Sequence, residues 1–313
     1  MKYNNICCLF FNQPGKENIF VDQMKRKIAT YCVLKNVGIL GRAIRKIHIK
    51  TGLPGMHIWF TDWYKDIKKY DIIICVATEY SIPVLRWIRR KVSNETRLIN
   101  YYWDEIEISG YPIVYDKKFE NWSFNKNNSD KYNMRYNPQF WIKTMNLETE
   151  NCVYDVSCVA GDRNGKYAER TELVNKLYSL LCEKKLKSFF WYVSSSDLVK
   201  DEIKRDKDLT QREFLECIKK SKSIIELTEK DNPWITQRTL YALSNKKKLI
   251  TNNYYIIDEK FYNSNNIFII GRDDLNNLES FIKSPFQNIE EEALTWYELE
   301  EWIKRFYVNV ENS

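Results

Sequence analysis

An alternation that runs the length of this 313-residue chain, and restarts near its middle, constrains the fold more than any other feature. Short apolar runs rich in β-branched residues are separated by amphipathic stretches of helical period, the pattern of parallel α/β units. In the first half the strand candidates are Ile6–Phe11, Ile72–Ala77 and Leu98–Tyr102. Between them Val33, Val37, Leu40, Ile44 and Ile47 recur at helical spacing, with Lys35, Arg42, Arg45, Lys46 and Lys50 on other faces. Ser81–Lys91 reads as a second helix, and the polar, Asn-rich 121–138 stretch as a long loop nearing a boundary. The pattern then begins again. Strands are expected at Val153–Val159, Ser188–Val193, Ser223–Leu227, Lys248–Thr251 and Asn266–Ile270, with helices over 167–183, 211–221, 236–243 and 290–306. Two such sets predict an α/β protein of two Rossmann-like domains facing each other across a cleft. The first spans 1–145 and the second 146–288, with 289–313 a terminal helix packing back towards the first domain. Ligands in such sheets bind beyond the carboxyl ends of the strands.

Charge is unevenly spread. Residues 1–103 hold 18 Lys and Arg against seven Asp and Glu, whereas the remainder holds 31 against 35. A basic first half fits an anionic partner such as nucleic acid, phosphorylated lipid or an anionic membrane face. The apolar stretch 6–11 is too short for a signal-peptide core and no 18-residue apolar run exists, so a cytoplasmic location is expected. Eight cysteines show no CxxC spacing and mostly sit in apolar runs, which favours free buried thiols over disulfides or zinc.

Two segments could hold a phosphate. After the strand at 153–159, Gly161 and Gly165 bracket Asp162, Arg163 and Asn164 just ahead of a helix. Glycines let backbone approach a phosphate, and a helix N-terminus offers free N–H groups. In the second segment a buried strand ends at Glu226 and an irregular loop follows. Thr236, Gln237 and Arg238 then open a helix, and Lys246-Lys247-Lys248 lead into a strand ending at Asn252-Asn253. Asp206-Lys207-Asp208 matches literally the DXD string that holds a metal in one class of metal-dependent transferases. Its setting, after Lys204-Arg205 and before a helix start, is that of a solvated loop.

In the second segment the chain resembles bacterial GT-B glycosyltransferases of capsular and lipopolysaccharide assembly. The resemblance rests on Arg238, Lys247-Lys248-Leu249-Ile250-Thr251-Asn252, Phe261-Tyr262 and Asn266-Ile267. Weaker matches precede it at Tyr70-Asp71-Ile72-Ile73, Tyr101-Tyr102-Trp103-Asp104, Trp122-Ser123-Phe124 with Tyr136-Asn137, and Tyr154-Asp155-Val156-Ser157. Together they cover most of 65–275. The resemblance implies a GT-B fold and transfer of a hexose, with galactose or galactofuranose the guess, from a UDP-sugar to a lipid-linked oligosaccharide. That reaction would occur at the inner face of the cell membrane, with no cofactor and no metal. The expected donor-binding residues are Gly161, Arg163, Glu226, Thr236, Gln237, Arg238 and Asn253. Related enzymes often carry a ribose-binding glutamate three residues past the arginine, where this chain has Tyr241.

If the reaction inverts, a base must take the acceptor hydroxyl proton. Asp104 follows the strand ending Tyr101-Tyr102-Trp103, three aromatics expected to exclude water and stack on the acceptor sugar. Glu105 and His57 are the fallback bases, while His48 lies on the basic helix. Two alternatives stand beside this reading. A nucleic-acid-binding module would use interleaved residues such as Arg86-Trp87 and Arg89-Arg90-Lys91, and a non-catalytic scaffold is suggested by Tyr241 alone.

Overall fold

The structure, a computed structural model, describes residues 3–11, 19–104, 106, 119–143, 151–162, 167–229 and 234–307. The chain divides into two compact units, residues 1–139 with 299–313, and residues 140–298.

The first unit is built on a parallel six-stranded sheet of β1 (Tyr3–Phe10), β2 (Ile28–Cys32), β3 (Ile72–Val76), β4 (Arg97–Tyr102), β5 (Glu120–Ser123) and β6 (Arg135–Tyr136), in the order β2-β1-β3-β4-β5-β6. Its central strands are buried on both faces, and so they read as unbroken apolar runs. Ile6 pairs with Ile72 and Ile74 with Ile99, while Cys7, Leu9, Ile73 and Cys75 share one core cluster with Phe60, Trp63 and Leu85. The stretch read as a loop at 121–138 instead supplies β5, β6 and the helix Lys126–Lys131, capped by the Asn125 side chain accepting from the Asn127 and Asn128 amides. Asparagine there caps a helix; it does not mark irregular chain.

The second unit repeats the plan with β7 (Tyr154–Gly161), β8 (Ser188–Val193), β9 (Lys204–Arg205), β10 (Ser221–Glu226), β11 (Lys248–Thr251) and β12 (Ile267–Ile269), all parallel, in the order β12-β11-β10-β7-β8-β9. Counted from β7, this is the 3-2-1-4-5-6 order of dinucleotide-binding folds, and the direction of winding reverses between β7 and β10. The helix Ala168–Glu183 buries Thr171, Val174, Leu177 and Leu181 at helical spacing. Gln211–Lys219 starts on a capping box of Thr210 and Glu213 and buries Leu215 and Ile218.

The helix expected over 290–306 is two helices, Glu291–Thr295 and Leu299–Arg305. The latter belongs to the first unit, where Trp302 meets Tyr101 edge to face at 5.2 Å and Phe306 lies 4.9 Å from Trp122. All eight cysteines are free thiols, with Cys7, Cys8, Cys75 and Cys158 buried. Among the described residues no helix is long and apolar enough to cross a membrane.

Candidate functional site

Three elements meet at the carboxyl ends of β7 and β10. Gly161 closes β7 so tightly against β8 that a Cβ there would stand 2.9 Å from the Val193 carbonyl oxygen. This position therefore accepts glycine because of a close approach. Asp162 follows, fully buried, donating its amide to Val193 O at 3.1 Å and accepting the Ser194 hydroxyl on Oδ2. With Ser194, Ser195, Asp206 and Asp208 these residues line a hollow of about 310 Å³, so the exposed Asp206 and Asp208 share it with Gly161 and Asp162. Arg163 lies outside the described residues.

Glu226 ends β10 with its carboxylate 5% exposed. The Thr236 and Thr239 hydroxyls donate to its two oxygens, and Arg238 Nη1 stands 3.9 Å from Oε1. Thr236 also caps the helix Gln237–Ser244 by accepting the Thr239 amide at 3.2 Å. Glu226 thus anchors the helix start and holds Arg238, whose guanidinium lies 5.3 Å from the Phe214 ring centre. The Gln237 and Arg238 amides, in the first turn, have no intrahelical acceptor, and the dipole there favours an anion. The Gln237 side chain donates to Phe140 O at 3.3 Å. Asn253 donates to Trp234 O and accepts from the Tyr255 amide, both at 3.0 Å. Its amide is spent on backbone, so it fixes the loop ahead of the helix and does not offer itself to a ligand. Tyr241, one turn in, is buried.

Arg170, which sequence reasoning missed, belongs to this constellation. It projects from the first turn of Ala168–Glu183, donates from Nη1 to Gly161 O at 3.2 Å and packs over the Tyr167 ring at 4.4 Å. Burial pushes its guanidinium below the ordinary value; Tyr192, Tyr167 and Glu229 oppose the shift, and the Arg238 charge adds to it. Both arginines also pull against the burial that raises the Cys158 thiol to about 12. The Nε atoms of Arg170 and Arg238 are buried with no acceptor among the described residues. Buried donors left unmatched are costly, and an anionic oxygen would satisfy them. The available signal was a helix-borne arginine one turn past a strand–glycine turn.

The first unit corrects the acceptor reading in part. Tyr101 is wholly buried, its hydroxyl donating to Asn137 O at 3.0 Å and Pro138 O at 3.2 Å. Tyr102 packs with Ile106 and Met134. Both rings are core and offer no face to a sugar. Trp103 is half-buried, edge-on to Phe10, Tyr101 and Trp302. Asp104 is exposed just beyond β4, not walled off from water as expected, and Glu105 lies outside the described residues. His57 is exposed, with Tyr64 at 5.7 Å and Trp87 stacked at 6.4 Å.

No protein-family model and no curated protein matches the chain. Among solved structures it is similar to HepE of Anabaena in complex with UDP and glucose, with a TM-score of 0.55 and 9% identity over 97% of this chain and 98% of that one. It is also similar to a UDP-GlcNAc 2-epimerase of Methanocaldococcus jannaschii (TM-score 0.48, 11% identity, 98% of each chain). A glycosyltransferase of Rickettsia africae follows (TM-score 0.48, 9% identity, 98% of this chain and 97% of that one). The HepE likeness spans both units, and the fold is the α/β, two-domain Rossmann-like fold of GT-B type.

Proposed function

We propose that the protein is a glycosyltransferase that moves a hexose from a UDP-sugar to a lipid-linked glycan at the inner face of the cell membrane, in surface polysaccharide synthesis. One observation carries the reading. At the switch point of the second sheet two arginines, each with a buried Nε that has no acceptor among the described residues, flank a helix start whose Gln237 and Arg238 amides have no intrahelical acceptor, which makes a cradle for a diphosphate. HepE, which shares the fold, holds UDP and glucose.

In this reading Arg170, Arg238 and the Gln237 and Arg238 amides neutralise the diphosphate as it leaves. The acceptor oxygen bonds to the sugar C1, the C1–O bond to phosphate breaks, and UDP carries away the charge. Fixed donors aimed at charge as it develops accelerate a reaction more than anything else such a site can offer. Asp104, at the carboxyl end of β4, takes the hydroxyl proton, with His57 the second choice. Glu226 positions the cradle. No divalent ion is required, because arginines and a helix dipole do the work a metal would do.

Incubation with UDP-hexoses, with and without chelator, tests this. Release of UDP from at least one donor, unaffected by chelation, is expected. UDP binding without turnover of any donor would favour the non-catalytic scaffold. Stabilisation by oligonucleotides and not by UDP would favour nucleic-acid binding. Activity lost on chelation, restored by manganese and abolished in Asp206→Ala would overturn metal independence.

A further inference from the structure

The helix Ile39–Thr51 is placed the wrong way round for a helix whose apolar side covers a core. Its buried side chain is Ile49. Residues advance 100° per position, so Ile49 lies across the helix from Leu40, Ile44 and Ile47. Those three are 80, 58 and 64% exposed, and Ile39 is 78% exposed. The stripe that the spacing reveals faces solvent. Leu53 and Ile58, in the segment that follows, are also exposed, and that segment is clamped to the helix. The His48 ring accepts from Trp59 Nε1 at 3.0 Å and bonds Pro54 O at 2.9 Å.

The rim is cationic. No Asp or Glu falls between Asp22 and Asp62, a stretch holding eight Lys and Arg. Lys50, and Lys46 beyond it, flank the stripe on one side, reaching Glu79 at 2.7 and 3.4 Å yet remaining about half exposed. A contiguous run of exposed Ile and Leu is rare on a soluble monomer and marks an interaction surface.

We infer that this helix lies in the headgroup region of an anionic bilayer, with Leu40, Ile44 and Ile47 entering the acyl boundary and Lys46 and Lys50 on its flank reaching lipid phosphates. A large exposed apolar face with lysines on its flank, on a basic helix that carries no acid, is the composition of an in-plane membrane anchor. The proposal deepens the membrane location named above. It replaces a purely electrostatic attachment by insertion, which salt does not screen. An anionic leaflet suits the charge as well as the apolar stripe, since the helix carries Arg42, Arg45, Lys46 and Lys50 and no acid.

Flotation of the full chain tests this, using phosphatidylcholine vesicles with and without about one third phosphatidylglycerol. The wild type is expected to float with the anionic vesicles and to keep most of that binding at high salt, where the screening length is about 3 Å. Ile44→Asp with Ile47→Asp, both at exposed positions, is expected to lower the bound fraction more than tenfold. Lys46→Glu with Lys50→Glu should weaken binding mainly at low salt. Three results would overturn the inference: no flotation of the wild type, flotation unchanged in the aspartate variant, or binding abolished by salt. A wild-type dimer that fails to float, and that the aspartate variant turns into a monomer, would assign the face to a second copy. UDP stabilisation, measured on the same samples, should persist in the aspartate variant. Its absence from the wild type would sink the donor reading and leave this one standing.

Discussion

Gly161 shows how one residue type can be dictated by its neighbour. A Cβ 2.9 Å from the Val193 carbonyl must push β7 and β8 apart, because backbone cannot yield as a side-chain tip can. Gly161→Ala should therefore cost about 1–3 kcal/mol in urea unfolding. A variant as stable as the wild type would mean that the strand ends open freely. Asp104→Asn should lower turnover about 10²–10⁴-fold with donor affinity nearly unchanged, the range for a lost general base. Near-normal turnover would move that role to His57, and a product of retained configuration would remove the need for it. The places of Gly161 and Glu226 at or just after strand ends, and of Arg238 in the helix that follows, were legible in the sequence, and the fold brings those strand ends side by side. Arg170 was not legible, because an arginine inside a helix reads as a solvated group until the fold turns it over Gly161 O. Tyr101 failed in the opposite sense: its rank beside Asp104 suggested a sugar platform, yet two backbone carbonyls hold its hydroxyl inside.

Among the elements, Leu299–Arg305 binds the first unit through more than its wholly buried Trp302. Asn137 donates to Trp302 O at 3.1 Å, Arg305 donates to Asn137 Oδ1 at 2.6 Å, and Arg97 reaches Phe306 O. Trp302→Ala should destabilise the chain by about 3–5 kcal/mol, as for other large-to-small core changes. A loss below about 1 kcal/mol would mean that the helix is a loose appendage. At the amino end of β11 the Lys-Lys of the family-like string is structural. Lys247 donates to Lys219 O at 3.0 Å, and Lys248 to Phe281 O and the Ser284 hydroxyl. Burial lowers Lys248 from 10.5 to about 8. Between those values the unfolded chain binds more protons, so this lysine's contribution is complete above 10.5 and is lost as pH falls through about 8. The stability of the wild type relative to Lys248→Met should rise from pH 7.5 to 10.5. A flat difference would refute the burial. Period told that Leu40, Ile44 and Ile47 share a helix face, but not that the face looks away from the core. That distinction lies in tertiary packing, which no spacing encodes.

At the scale of the whole chain, the restart of the α/β alternation was the most legible feature, since buried parallel strands must be continuous apolar runs. Strand order was not legible. Only the fold reveals that β7 and β10 are neighbours from which the chain winds in opposite directions, which brings Gly161, Glu226 and the start of Gln237–Ser244 to one edge. The central claim is that this edge binds a nucleoside diphosphate through two arginines. Calorimetric titration of the wild type with UDP, beside Arg170→Ala and Arg238→Ala, tests it most directly. Each variant should keep its fold and lose about 2 kcal/mol of UDP binding, the scale of a charge-assisted bond and about 30-fold in affinity. Affinity unchanged in both folded variants would contradict the account.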